Sequence, residues 1–262
     1  MHPYPLKSLG QHFLTDETIT DRIVNAADVV GSDLIWEIGP GRGILTQSIL
    51  KKSENLTVFE LDRRLREHLE GEFGTKIRIV MKDILRINWE EELPLGGQVK
   101  LISNIPYQIT SPLLYKVERF ASYFECLVLM VQKEVAERLT AYPSTREYGP
   151  LTLKIKYHFD TELLFIVDRV NFDPVPKVDS AVIKLSPRSE LPRVRSLQTY
   201  WNVINKAFEH RRKTLKNNLK PLISVDQIAL LEKNTGIDLS RRGETLSEDE
   251  FILLSDTISD LG

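Results

Sequence analysis

A single cysteine, Cys126, occurs in the 262 residues. That excludes an internal disulfide framework and a cysteine-ligated metal cluster. The five histidines, His2, His12, His68, His158 and His210, show none of the spacing that metal ligands share, so no metal is expected. No apolar run approaches the ~20 residues of a membrane span. The longest, Cys126 to Val131, fits a buried strand instead. The first residues, Met1 to Lys7, lack the apolar core of a secretory signal and are too short for an arginine-rich transit sequence. These absences lead us to expect a cytoplasmic protein without a membrane partner. Charge of one sign is missing as well, since 35 Lys and Arg stand against 37 Asp and Glu.

The charges are nevertheless unevenly placed. Arg188 to Lys220 holds nine basic residues against Glu190 and Glu209, whereas Pro221 to Gly262 holds three against nine acidic ones. Within the basic stretch, His210-Arg211-Arg212-Lys213 is followed by Lys216 and Lys220 at helical spacing, which fits a surface for phosphates as well as it fits a solvated helix face. Arg211, Arg212, Lys213 and Lys216 are the candidate RNA-binding residues.

Up to about residue 185 the chain alternates strands and helices. Asp33 to Ile38, Leu56 to Glu60, Ile77 to Val80, Lys100 to Ser103 and Glu125 to Val131 read as short apolar strands, with helical periodicity between them. That rhythm predicts an α/β fold, a doubly wound, mostly parallel sheet with helices on both faces. Leu151 to Phe159, Leu163 to Val167 and Ser180 to Leu185 read as strands in close succession, which predicts antiparallel pairing at one edge. Pro187 to Pro192 breaks the pattern, and only helical signals follow. A catalytic domain over residues 1–187 and a small helical domain over 188–262 are therefore expected.

The strand at Ile38 ends in Gly39-Pro40-Gly41-Arg42-Gly43. Glycines at such a turn let the backbone approach a nucleotide-like ligand closely. Because Ile44 stands where the dinucleotide fingerprint requires its third glycine, a NAD-dependent oxidoreductase is disfavoured. Glu60 closes the second strand, where a carboxylate can accept from both ribose hydroxyls, and Asp83 follows the third, placed for an adenine amino group. Together Gly39, Glu60 and Asp83, at successive strand ends, describe an adenosine-binding rim, with Gly41 of the same turn a further cofactor-binding candidate.

Asn104-Ile105-Pro106-Tyr107 closes the fourth strand. Methyl transfer to a conjugated amine needs acceptors on its N–H groups, which draw the lone pair out of the ring and align it. The Asn104 side-chain oxygen and the Pro106 carbonyl suit that task, and Tyr107 can stack on the ring. Proximity and electrostatic alignment carry such a reaction without a strong base. A base taken from a duplex must first be unstacked. Phe172, on the proline-stiffened stretch Val170 to Lys177, is the candidate for the opposite side of a clamp, although a core role is the simpler account of one phenylalanine.

In these motifs the chain closely resembles the small-subunit ribosomal RNA adenine N6,N6-dimethyltransferase family. The match also includes Lys7 to Leu14, Met130 to Leu139, Pro174 to Ala181 and Arg211 to Leu215, so it runs nearly end to end. The resemblance implies a Rossmann-like methyltransferase. S-adenosylmethionine would donate four methyl groups, two to each of two adjacent adenosines in the hairpin loop near the 3′ end of small-subunit rRNA. His12 and Leu14 would contact the cofactor from the N-terminal segment, and Gly39, Glu60, Asp83 and Asn104 would complete its site. Asn104, Pro106 and Tyr107 would hold the amine, Phe172 would stack on the base, and the helical domain of a monomer would dock on the assembling small ribosomal subunit. Two positions depart from the family pattern: Ile105 replaces leucine, and Arg169 stands where many relatives carry proline.

Two alternatives remain. A large-subunit rRNA adenine dimethyltransferase of the erythromycin-resistance type shares the glycine turn and the Asn-Ile-Pro-Tyr variant, but Met130 to Leu139 and Arg211 to Leu215 argue against it. A non-catalytic descendant, an assembly factor or a mitochondrial transcription factor, is disfavoured by the intact Asn104 to Tyr107 and by Glu60.

Overall fold

The computed structural model describes residues 4–6 and 9–261. Lys7 and Ser8 of the N-terminal motif lie outside the described residues. Among the described residues nine strands follow one another: β1 (Phe13–Leu14), β2 (Leu34–Ile38), β3 (Leu56–Phe59), β4 (Ile77–Val80), β5 (Val99–Asn104), β6 (Phe124–Gln132), β7 (Phe159–Val167), β8 (Phe172–Asp173) and β9 (Ser180–Pro187). Seven of them form one sheet in the order β4-β3-β2-β5-β6-β9-β7. The first five in that order run parallel, whereas β9 is antiparallel to both β6 and β7. This is the Rossmann-like arrangement with an antiparallel edge. Strands β1 and β8 make a separate two-stranded ribbon, with Leu14 opposite Phe172.

Alternation along each strand sends neighbouring residues to opposite faces. On β2, Ile35 enters a core with Ile23, Leu45, Ile49, Val58 and Val128. Its neighbour Trp36 instead meets Phe59, Trp89 and Phe124 edge-on, with ring centroids 4.8–6.4 Å apart. Both faces are thus buried, which is why the central strands read as continuous apolar runs.

The helices of this part are α1 (Glu17–Ala26), α2 (Ile44–Leu50), α3 (Arg66–Phe73), α4 (Trp89–Glu92), α5 (Thr110–Arg119) and α6 (Lys133–Thr140). Asp16 caps α1 by accepting from the Thr18 amide, and Ile19, Thr20, Ile23 and Val24 form its buried face at helical spacing. On α5 the buried set is Thr110, Leu113, Leu114 and Val117.

Next comes α7 (Pro150–His158), where a strand was expected. The alternation Leu151, Leu153, Ile155, Tyr157 mimics a strand, but Thr152 between them is buried too. A helix enclosed on most sides loses its 3.6-residue signature. Pro150 at the first helical position is the signal that could have identified it.

The last helices are α8 (Leu197–Glu209), α9 (Leu215–Leu219), α10 (Val225–Thr235) and α11 (Glu248–Leu261). The chain divides into two compact units, one of residues 1–136 and 158–188, the other of 137–157 and 189–262. The expected ranges 1–187 and 188–262 differ from this in assigning 137–157 to the sheet. The reason is packing: Tyr148, Leu153 and Tyr157 share a core with Tyr200, Leu215, Leu246 and Phe251 of the helical unit.

Candidate active site

In the sheet, β2 has β3 on one side and β5 on the other. Ligands of such sheets bind beyond the carboxyl ends of the strands at this reversal. A cavity of about 190 Å³ lies there. Its lining includes every residue expected at the cofactor or acceptor site: His12, Leu14, Gly39, Gly41, Glu60, Asp83, Asn104, Pro106, Tyr107 and Phe172.

Each strand-end turn is tied to its neighbour by a backbone hydrogen bond. Gly39 N donates to Phe59 O at 2.8 Å, Glu60 N to Val80 O at 3.1 Å and Ile105 N to Met130 O at 3.0 Å. Ser103 adds a side-chain link by donating to Ile38 O at 2.6 Å. Gly39 adopts φ +68°, and a Cβ there would lie 3.2 Å from Pro106 Cγ. Gly41, at φ +59°, would bring its Cβ to 2.8 Å from the Phe13 ring. Both turns therefore require glycine for conformation and for space.

Glu60 is 6% exposed. Its Oε1 accepts from the Leu61 and Asp62 amides, both at 2.8 Å, while Oε2 has only a long contact of 3.4 Å with the Gly41 amide. Burial raises its pKa against the pull of those amides. Nearby Glu37, absent from the expected site, also lines the cavity and accepts from Thr46 Oγ1 at 2.7 Å. Burial pushes the Glu37 carboxyl up to about 8, with the Glu60 charge contributing. With that pKa Glu37 is mostly neutral at pH 7 and brings little charge to the cavity. The glycine cradle and the loosely bonded Glu60 Oε2 suit the hydroxyl-bearing adenosine part of S-adenosylmethionine. Asp83 is less committed: its Oδ1 accepts from the Leu85 amide at 2.9 Å and so caps its own turn.

On the acceptor side, Pro106 O already accepts from Ile109 N at 3.0 Å. The Thr110 hydroxyl donates to the same oxygen at 3.5 Å, so an incoming amine would take the place of that longer contact. Tyr107 contacts Ser180 Oγ through its hydroxyl at 2.7 Å, and burial raises the phenol pKa. The His12 ring stacks on Tyr107 with centroids 5.7 Å apart. His12 Nδ1 donates to Pro174 O at 2.6 Å, which ties the histidine to the segment after β8. Phe172 is 3% exposed and belongs to the sheet core with Leu14 and Val167. It borders the cavity without presenting an open face, because the β1–β8 pairing holds it inward. At the departure from the family pattern, Arg169 N donates to Asp179 Oδ1 at 3.2 Å and its guanidinium to Lys177 O at 3.2 Å, which close the loop upon itself.

A latch also went unforeseen. Gln11 donates to Asp62 Oδ2 at 3.0 Å and accepts from Leu6 N at 2.7 Å, fastening the N-terminal segment beside Glu60. Asp62 is hydrogen-bonded by the Arg64 guanidinium, which holds its carboxyl below the usual range. Only long-range pairing reveals this contact.

The basic stretch in the helical unit differs from the expected single helix face. Helix α8 ends at Glu209 and α9 starts at Leu215, so Arg211 to Lys213 lie on the turn between. Arg211 donates to Glu244 Oε2 at 2.9 and 3.0 Å, to Arg146 O at 2.8 Å and to Tyr148 O at 3.3 Å. Those donors are engaged by the protein, while the side chain as a whole stays exposed. Arg212, Lys213 and Lys216 are exposed.

The model of the family described as "Ribosomal RNA adenine dimethylase" matches residues 6–260. The chain is 41% identical over 260 residues to a ribosomal RNA small subunit methyltransferase A from Clostridium botulinum, covering 97% of this chain and 94% of that one. A protein of the same name from Lactobacillus johnsonii is 39% identical over 268 residues, covering 97% and 90%. Among solved structures, a dimethyladenosine transferase from Plasmodium falciparum matches with TM-score 0.73 and 27% identity, over 93% of this chain and 96% of that one. The 23S rRNA methyltransferase ErmE matches with TM-score 0.74 and 25% identity, over 94% and 99%.

Proposed function

The chain belongs to the ribosomal RNA adenine dimethylase family and is an S-adenosylmethionine-dependent rRNA adenine dimethyltransferase; from that premise we propose its target and the roles of its residues. The target is small-subunit rRNA, at N6 of two adjacent adenosines in the 3′-terminal hairpin loop, with four methyl groups transferred in all during subunit assembly. The names of the relatives favour the small subunit. The protein works as a cytoplasmic monomer, and its helical unit docks on the assembling subunit through Arg212, Lys213 and Lys216. Among the described residues no helix is long and apolar enough to cross a membrane.

One observation carries the assignment of roles. Asn104 to Tyr107 ends β5 against the glycine turn, with Pro106 Cγ 3.2 Å from where a Gly39 Cβ would be, and opens on the cavity that Glu60 and Asp83 line. When bound, S-adenosylmethionine supplies a methyl group on a sulfonium sulfur, which leaves without acid assistance. Glu60 accepts from the ribose and Asp83 from the adenine amine, while His12 and Leu14 close the site from the N-terminal segment. The Asn104 Oδ1 and Pro106 carbonyl oxygens accept from the two hydrogens of the target amine. That turns its lone pair out of conjugation and toward the methyl. Once alkylated the nitrogen is acidic and loses its proton to water, so no histidine base is needed. Tyr107 stacks on the unstacked base, and Phe172 closes the far side if the β8 segment shifts to expose its ring.

The test is transfer of labelled methyl from S-adenosylmethionine to unmethylated small and large subunits in parallel, with the product nucleoside identified. N6,N6-dimethyladenosine confined to the small subunit is the expected result. Label in the large subunit overturns the target, and tight RNA binding without transfer to either overturns the role given to Asn104 to Tyr107.

A further inference from the structure

Tyr107 opens a single three-residue 3-10 turn directly after Pro106. So short a turn does not by itself fix the direction of an aromatic ring with two free torsions. The far end of the ring is held by something more rigid. Ser180 is the first residue of β9, paired with Gln132 of β6 on one side and with Val167 of β7 on the other. It is fully buried, and its Oγ lies 2.7 Å from the Tyr107 hydroxyl. The face of the ring is met by His12, itself held by Pro174 O. The phenol is therefore tied at its backbone end to β5 and at its hydroxyl to a strand two places away in the sheet.

We propose that Ser180 is a positioning residue for methyl transfer: its hydroxyl fixes the Tyr107 ring in the acceptor pocket before the target base arrives. The inference rests on the reading that Tyr107 stacks on the acceptor. A stacking platform that is free to turn must be ordered each time a base enters, and each torsion frozen at that moment opposes binding of the base. Anchoring the hydroxyl in the sheet meets that cost during folding. The alternative role for Ser180, satisfying a buried phenol, makes a different prediction. In that case, removing the phenol hydroxyl leaves nothing to satisfy and the rate stays as it was.

The experiment is a double-mutant cycle with Ser180→Ala, Tyr107→Phe and the pair, alongside Tyr107→Ala. It measures single-turnover methyl transfer to unmethylated small subunits, affinity for S-adenosylhomocysteine and melting temperature. Ser180→Ala and Tyr107→Phe are each expected to slow transfer about three- to tenfold, as the loss of one hydrogen bond implies, with cofactor affinity unchanged. The pair should be no slower than either single variant, because both remove the same contact. Multiplying effects in the pair, or a wild-type rate in Tyr107→Phe, overturns the proposal. Tyr107→Phe leaves the sheet untouched, so it decides the matter even if Ser180→Ala folds poorly. Impaired Tyr107→Ala beside unimpaired Tyr107→Phe sinks the role of Ser180 alone. Full activity in Tyr107→Ala sinks the stacking role and the proposal with it.

Discussion

The rim of the sheet and the basic turn of the helical unit hold their charges in opposite ways. At the rim, Glu37 and Glu60 are buried, and each lies at a strand end whose backbone is bonded to the neighbouring strand. Arg212, Lys213 and Lys216 are exposed on a turn and a short helix. A buried carboxylate beside a preformed cradle selects one ligand in one orientation, because desolvation makes an unmatched charge costly. Exposed cations instead attract a polyanion by releasing its counterions, and they tolerate many geometries. Arg211 belongs to neither class, since its donors hold Glu244 and two carbonyls of the 146–148 segment.

The contrast can be broken most forcefully at Asn104. Asn104→Ala should lower single-turnover methyl transfer about a hundredfold, the usual scale for a lost polar contact to a reacting group; a rate within about threefold of wild type would take Asn104 out of the reaction. Next, Glu60→Ala should weaken S-adenosylhomocysteine by about 1–3 kcal/mol in calorimetry. Unchanged affinity would mean that the ribose is held elsewhere. For the exposed cations, Arg212→Ala combined with Lys213→Ala should reduce the slope of log K against log salt by about two. Arg211→Ala should leave that slope alone and lower the stability of the helical unit by about 1 kcal/mol in urea titration. If Arg211→Ala instead flattens the slope, its guanidinium reaches RNA after all.

Stability as a function of pH sets the buried Glu37 carboxyl apart from the surface charges. The folded Glu37 carboxyl titrates at about 8, against an ordinary 4.5 once unfolded. Between those values the folded state binds the extra proton, so stability should decline as pH rises from about 5 to 8. Glu37→Gln should flatten that part of the profile. An unchanged slope in the variant would place the titrating group elsewhere.

Much of the rim was legible because a strand followed by a turn leaves a local trace. The glycines announce a backbone that other residues cannot adopt, and Glu60, Asp83 and Asn104 each stand where an apolar run stops. Nothing local marks the Glu37 carboxyl as buried. Nor does anything local give the contacts of Ser180 and Gln11, whose partners, Tyr107 and Asp62, lie 73 and 51 residues away. Helix α7 was read as a strand because its burial on several sides erased the period that would have identified it.

By itself the sequence determined the sheet type, the strand-end positions of the site and the family. Apolar periodicity and turn chemistry act between residues a few positions apart, so composition and spacing express them directly. Only the tertiary structure decided which charged and polar groups are bonded to distant parts of the protein. It turned Arg211 toward Glu244, drew Phe172 into the core and brought Ser180 to the Tyr107 hydroxyl. Those outcomes depend on desolvation and on partners supplied by distant segments, which come together only when the chain has closed around its cores.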